Sequence, residues 1–537
     1  MPMKRTLFYA LFVLLAVNIP IAATPASGDF LQVQGEQLML HDQPVFLKGV
    51  NYYPQWRPWA DMWRAWDAPQ IARELRQARD DLGINAVRVM LPYNISGQKQ
   101  GDGVLPPEFI ARIRELVQIA GQLDMRVILT LFDFSQGFPA AGTAEEVQQL
   151  AYLRAFVPLF ANDDRVAIWD LHNEPDQYGA WREGRSADVL DWLGRMADAV
   201  HTLTPRQLVT IGMALHPNLW LPGPDGRRAI DYSDVVSVHN YAGDTAVQQL
   251  EAVRDQTSKP IIVEEFGWPT GPPCIAPYTE DAQQQLYQAE LAAAPGRTAG
   301  IFAWALRDYD AAPTGRWDSR EEYYGLYRAD GSLKPAAQLV RVLAAQPLPS
   351  VTHSTLPLTT THPRFPTNRQ GPLRIAGTSY TIKRAFRRAW ELFGGATSFG
   401  LPLTDAFERQ PDRRVVQYFA NAVLEYDPNN AGDAKTTPED EQVMRVVRPR
   451  SLGAEAVGAR LLHPVPPRGA FHALYQHING AWRLGQPLSG VLTEAIGGVR
   501  IQVQYFERGR LEQLPDGSVR VGALGAQSWA TECAVAR

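Results

Sequence analysis

The chain has 537 residues, 45% of them hydrophobic and 20% charged, with a formal net charge of −5. That length exceeds one compact domain, so two or three are expected. The mildly acidic balance excludes a broad electrostatic attraction to nucleic acid or to an anionic lipid surface.

The first 26 residues read as a signal peptide. A basic MPMKR is followed by the apolar TLFYALFVLLAV (6–17) and by small residues that suit cleavage near Ala23 or Ala26. An uncleaved anchor is the competing reading. No later run is long and apolar enough to span a bilayer.

Residues 30–345 alternate strands and helices. Apolar runs at 45–52, 84–91, 125–134, 166–173, 206–213, 233–241, 260–268 and 300–306 predict eight strands. Amphipathic stretches such as 69–83, 107–123, 144–160 and 187–203 predict helices between them. Continuously apolar strands alternating with helices imply a parallel sheet, and eight repeats imply a closed (β/α)8 barrel. Residues 31–49 predict a small hairpin under the barrel.

A Pro/Thr-rich linker is expected over 346–373. A smaller α+β domain, 374–537, contains a degenerate repeat. Residues 386–407 align with 471–492 at an offset of 85, and 415–428 with 503–517 at an offset of 87. Each copy ends in Leu-Gly-Ala, at 452–454 and 524–526. Two small stacked modules are expected, with a solvated loop over 429–442. The two cysteines, Cys274 and Cys533, fall in different predicted domains. Export permits a bridge, but two inert thiols are the favoured reading.

Two carboxylates stand at predicted strand ends: Glu174 in LHNEPD and Glu265 in IIVEEFGW, 91 residues apart (265 − 174). Three strand–helix units of roughly 30 residues span that distance, which puts them on strands 4 and 7 of one barrel. Both then face one cleft at its C-terminal rim. Cleaving a glycosidic bond needs such a pair, one carboxyl protonated and the other a carboxylate. Glu174 suits the acid, and Asn173 beside it suits a sugar hydroxyl. Glu264 and Glu265 should alternate in direction, so only one reaches the cleft, and Glu265 is expected there. Arg88 interrupts strand 2 and needs a carboxylate partner, for which Glu265 is the candidate. His239 and Tyr241 share a face at the end of strand 6, and Tyr241 is placed to hydrogen-bond Glu265. Trp304 ends strand 8 as a floor for a sugar ring. In the aromatic first loop, Tyr52 and Trp56 are expected in the cleft, with Trp63 and Trp66 in a buried stripe. No metal-ligand spacing, phosphate loop or nucleotide fingerprint appears, so neither cofactor nor metal is expected.

Together Arg88, Asn173-Glu174-Pro175, His239-x-Tyr241, Glu265-Phe-Gly and Trp304 make residues 30–345 resemble the retaining glycoside hydrolases of clan A, most closely the family 5 cellulase and mannanase group. The resemblance implies Glu174 as acid/base, Glu265 as nucleophile and net retention through a covalent glycosyl–enzyme. One departure is that many family cellulases carry a His at the end of strand 3, where this chain has Phe132-Asp133. Mannan or another β-linked glycan therefore stands beside cellulose as a substrate. The last domain resembles LGFP-type repeats of exported bacterial proteins through LGQP (484–487), QYFERGR (504–510) and VGALG (521–525), with Phe399-Gly400 replacing Leu-Gly in the first copy. That likeness implies association with cell-envelope glycan. The expected activity is a secreted retaining glycosidase acting on β-mannan or β-glucan by double displacement. Exo-action, transglycosylation and a non-catalytic carbohydrate-binding protein are the alternatives.

Overall fold

The structure is a computed structural model that describes residues 30–91, 93, 105–133, 135, 137–310, 319–343, 371–410, 412–430, 439–460 and 462–533. The expected signal segment, most of the linker and most of the 429–442 loop lie outside the described residues. Among the described residues, no helix is long and apolar enough to cross a membrane.

Eight parallel strands form the first domain: β1 (Leu47–Asn51), β2 (Ala86–Met90), β3 (Arg126–Thr130), β4 (Val166–Asn173), β5 (Leu208–Gly212), β6 (Val236–Asn240), β7 (Ile261–Phe266) and β8 (Gly300–Ala303). Hydrogen bonding links them in the order β5-β4-β3-β2-β1-β8-β7-β6. Just past β5, Met213 bridges to Val238 of β6, and the His239 amide donates to the Met213 carbonyl at 3.3 Å. That contact closes the ring into a (β/α)8 barrel. β1, β2 and β6 to β8 are buried along their whole length, as strands covered on both faces must be.

Local signals set the helices. Helix Ala68–Leu82 starts where the Asp67 side chain accepts the Gln70 amide, and it ends at Gly83, whose φ of 67° suits glycine. Under the barrel lies a three-stranded antiparallel sheet, Gln32–Gln34, Gln37–Leu40 and Gln43–Val45, where a hairpin was expected. Its Leu38 joins Leu47, Ile128, Ile168, Ile262 and Phe302 in a separate apolar plug.

Leu373 already pairs with Ile382, so ordered structure begins inside the expected linker. The C-terminal domain has two four-stranded antiparallel sheets. Helix Arg384–Leu392 corresponds to Gly469–His477, and strand Ala422–Tyr426 to Gly509–Gln513, at the offsets of the repeat. The Leu-Gly-Ala ends are exchanged between the halves. The Ala454 amide donates to the Glu507 carbonyl at 2.9 Å, and the Ala526 amide to the Ala420 carbonyl at 2.8 Å. Each glycine permits that approach: a Cβ on Gly453 would lie 1.8 Å from the Phe506 carbonyl oxygen, and one on Gly525 2.1 Å from that of Phe419.

Cys274 and Cys533 form a disulfide, Cα–Cα 5.1 Å, contrary to the expectation of inert thiols. The loop carrying Cys274 packs into the core of the repeats, which brings two residues 259 positions apart to bonding distance.

Candidate active site

Arg88 of β2 is fully buried inside the barrel mouth. A guanidinium there must spend its five N–H groups on protein partners. Nη1 donates to Glu265 Oε1 at 2.6 Å and to Asn51 Oδ1 at 3.0 Å. Nη2 donates to Asp170 Oδ2 at 2.7 Å and to Asn173 Oδ1 at 2.9 Å. Nε lies 3.1 Å from Glu264 Oε1. Three carboxylates from β4 and β7 thus converge on one cation. Burial raises the Asp170 carboxyl, with the Glu264 charge adding to the effect.

Glu264 and Glu265 both face inward, contrary to strict alternation. Register against β6 slips between Val263 and Glu265: Val263 pairs with Val238, and Glu265 with His239. This bulge inserts one residue and re-aims the side chains on either side of it. Glu264 lies deeper, fully buried, and accepts from Ser237 Oγ. Burial alone would raise its carboxyl, but Arg88 and His239 hold it low. Glu265 lies higher and accepts from Tyr241 Oη at 2.7 Å.

Glu174 is half-buried at the end of β4 with φ 46° and ψ 53°, a left-handed conformation that a residue with a Cβ seldom adopts. Its amide donates to the Gly212 carbonyl at 2.7 Å, and Pro175 starts a short helical turn. Together these turn the side chain from the strand towards the cleft. Glu174 Oε1 lies 3.0 Å from His239 Nδ1, which is also 3.4 Å from Glu265 Oε2. Gly212 gives the imidazole room, since a Cβ there would meet His239 Nε2 at 2.6 Å. Burial lowers the His239 imidazole, but Glu265, Glu174 and Glu264 together push it up to about 10. Burial likewise raises Glu174, yet the His239 hydrogen bond and charge, then Arg88 and Arg320, hold it below the usual carboxylate range. Glu174 and His239 thus form one close polar pair beside Glu265.

One oxygen each of Glu174 and Glu265 and a ring nitrogen of His239 lie within 4.8 Å of one another. Their geometry alone would suit a cation. The donors already aimed at Glu265, Arg88 and Tyr241, disfavour one. At the end of β8, Trp304 lies edge-on to Tyr53 and to Trp59, with ring centroids 6.4 Å apart in both pairs, and Tyr53 stacks on Trp59 at 5.7 Å.

Residues 41–309 match the family described as Cellulase (glycosyl hydrolase family 5), half of the chain. The chain belongs to glycosyl hydrolase family 5. No curated protein matches it. Among solved structures it is similar to an exo-beta-1,4-mannosidase from Opitutaceae bacterium strain TAV5, at 20% identity and TM-score 0.46, over 55% of this chain and 58% of that one. It is also similar to a family 5 mannosidase from Rhizomucor miehei, at 17% identity and TM-score 0.44, over 60% of this chain and 98% of that one.

Within this family 5 barrel, seven expected site residues converge: Glu174, Glu265, Arg88, Asn173, His239, Tyr241 and Trp304. Tyr52 does not join them. Asn51 points into the barrel, so the next side chain points out, and Tyr52 Oη donates to Glu74 Oε2 of helix Ala68–Leu82 at 2.9 Å. Tyr53 takes the inner position. Trp56 is half-buried with the Arg57 guanidinium 5.7 Å from its ring centroid, and Trp59 stacks where Trp56 was expected. Trp63 is fully buried and stacks on Trp66 at 5.7 Å, as a stripe requires. At the end of β3, Phe132 packs outward on Trp192 and Tyr152. Asp133 faces the cleft side, where its charge reaches Tyr53 and Tyr178. Sequence reasoning missed Asp170, Tyr53 and the pair Arg320–Glu321. Asp170 carried a signal, being a charge inside an apolar strand like Arg88. The other three carried none.

Proposed function

We propose that this family 5 member is a secreted retaining glycosidase that cleaves a β-linked glycan of the mannan or glucan type. The observation that carries the reading is the carboxyl pair at the barrel mouth: one oxygen of each lies within 4.8 Å of one of the other, Arg88 and Tyr241 donate to Glu265, and His239 lies against Glu174. Retaining enzymes set their carboxyls about 5–5.5 Å apart, whereas inverting enzymes leave about 6.5–9.5 Å for a water.

In this reading, Glu265 Oε2 attacks the anomeric carbon while Arg88 and Tyr241 hold its orientation. The glycosidic C–O bond breaks, and its oxygen takes the proton held by the His239–Glu174 pair through Glu174. The aglycone leaves, and the sugar remains as an ester on Glu265. Glu174 then accepts a proton from water, whose oxygen attacks the same carbon, and the Glu265 carboxylate departs. Trp304, Tyr53 and Trp59 supply apolar faces for the ring. Asn173 would bind the hydroxyl beside the reacting carbon.

Export is supported by the N-terminal segment and by the Cys274–Cys533 disulfide, which suits an oxidising compartment. The LGFP-like repeats would bring the barrel to envelope glycan. Product analysis on mannans, β-glucans, xylans and cellulose tests the activity, and no cleavage of any of them would overturn it. For the roles, Glu265→Ala should lose turnover by at least about 10⁴-fold, and azide should restore it with an inverted glycosyl azide as product. In Glu174→Ala, aryl glycosides with good leaving groups should still form the intermediate.

A further inference from the structure

The two halves of the C-terminal domain share one local plan, down to single hydrogen bonds. Leu492 pairs with Val503 as Phe407 pairs with Val416, at the repeat offsets of 85 and 87. Gln504 Nε2 donates to the Ser489 carbonyl at 3.0 Å, as Gln417 Nε2 does to the Thr404 carbonyl at 2.8 Å. Strand Leu492–Ile496 is therefore the counterpart of Phe407–Glu408, and each is an outer strand of its sheet. A sheet edge presents unpaired N–H and C=O groups, which a further extended segment can take up.

The first edge is already taken. Cys274-Ile275-Ala276, from the loop after β7, lies along it, and Ile275 forms an antiparallel bridge with Arg409. The Ala276 amide donates to the Glu408 carbonyl at 2.9 Å, and the Gln410 amide to the Cys274 carbonyl at 2.8 Å. The Cys274–Cys533 disulfide fastens the segment, and Ile275 is buried in one apolar cluster with Val416, Tyr418 and Leu524, against which Phe407 packs. The second edge keeps the same groups open. Thr493 and Ala495 correspond to Glu408 and Gln410, and both are exposed. Among the described residues, neither the Thr493 carbonyl nor the Ala495 amide has a hydrogen-bond partner. Leu492, the counterpart of Phe407, shares a face with Glu494 and Ile496. Leu492 and Ile496 are only half-buried there, and Val499 opposite Ile496 is 49% exposed.

We propose that strand Leu492–Ile496 is a docking edge for an extended peptide segment of a partner protein, with a branched apolar side chain where Ile275 stands in the first half. The segment runs antiparallel, its amide on the Thr493 carbonyl and its carbonyl on the Ala495 amide. Glu494 needs no cation from it, because Arg460 Nη2 and Tyr505 Oη each donate to its carboxylate at 2.7 Å. An apolar side chain set across from Glu494 meets Leu492 and Ile496 as diagonal neighbours. A second copy of this chain suits the edge less well. Pairing two such edges about a two-fold axis through Glu494 sets that residue against itself, and like charges directly opposite destabilise a sheet.

The probe is a synthetic peptide of residues 271–279 carrying Cys274→Ser, added to the full chain with its disulfide intact, so that the first edge stays occupied. Hydrogen exchange followed by NMR should show the Ala495 amide slowing at least about fivefold at about 5 mM peptide, with Gly509–Gln513 unchanged. The same peptide with Ile275→Asp should slow it less than about twofold. Proline lacks the N–H and is tolerated on an edge strand where that group faces solvent. Ala495→Pro should therefore keep the wild-type urea midpoint, yet no longer broaden the Ala276 amide signal of the peptide as the wild type does. Unchanged exchange at Ala495 would overturn the proposal. So would equal slowing by both peptides, or broadening that survives in Ala495→Pro. Slowing that rises with protein concentration alone, with a dimer in sedimentation, would give the edge to a second copy and overturn it too.

Discussion

Arg88 binds three carboxylates, so each of them is a structural partner as well as a candidate for chemistry. Glu264 is the case where the two roles separate. Glu264→Ala leaves Arg88 short of one buried partner and should cost about 2–3 kcal/mol, less than breaking an isolated buried pair because Asp170 and Glu265 remain. Urea unfolding reads that loss. Its activity will fall too, but azide should not restore it, whereas azide should rescue Glu265→Ala. His239 sets a pH dependence of stability. Its value in the fold, about 10, lies above the ordinary 6.5, so its stabilisation is complete below about pH 6.5 and is lost as pH rises through about 10. The urea midpoint should fall over that window, and the fall should be smaller in His239→Asn. An equal fall in both proteins would assign the loss to other groups.

At the scale of elements, the strand pattern was legible because an apolar run with a fixed period is local in the chain. Register was not. The slip between Val263 and Glu265 depends on how β6 pairs with β7, and it makes two consecutive glutamates face inward. Tyr52 and Tyr53 follow the same logic from Asn51, whose inward direction is set by Arg88 across the sheet. In the repeats, the Leu-Gly-Ala ends were visible as a motif, but their exchange between halves was not. That exchange predicts that Gly525→Val, whose side chain would run into the Phe419 carbonyl, costs the C-terminal domain about 3 kcal/mol. Hydrogen exchange in Val415–Phe419 and Ala422–Tyr426 should accelerate while β1 to β8 stay protected.

On the scale of the whole molecule, the barrel and the repeats form one body through the loop after β7. The Cys274–Cys533 bridge closes 259 residues of chain. Cys533→Ser should therefore lower the stability of the C-terminal domain by about 2–4 kcal/mol, and dithiothreitol should do the same to the wild type but not to the variant, both read by urea unfolding. By itself, the sequence determined the eight alternating units, the placing of Glu174 and Glu265 at two strand ends of one rim, and Arg88 as a buried charge in need of a partner. These follow from periodicity, spacing and the cost of an unpaired charge. Only the tertiary structure decided that Glu264 joins Glu265, that His239 lies against Glu174, that Tyr53 and Trp59 replace Tyr52 and Trp56, and that the two cysteines meet. Each depends on atoms far apart in the chain, and only packing brings them within bonding distance.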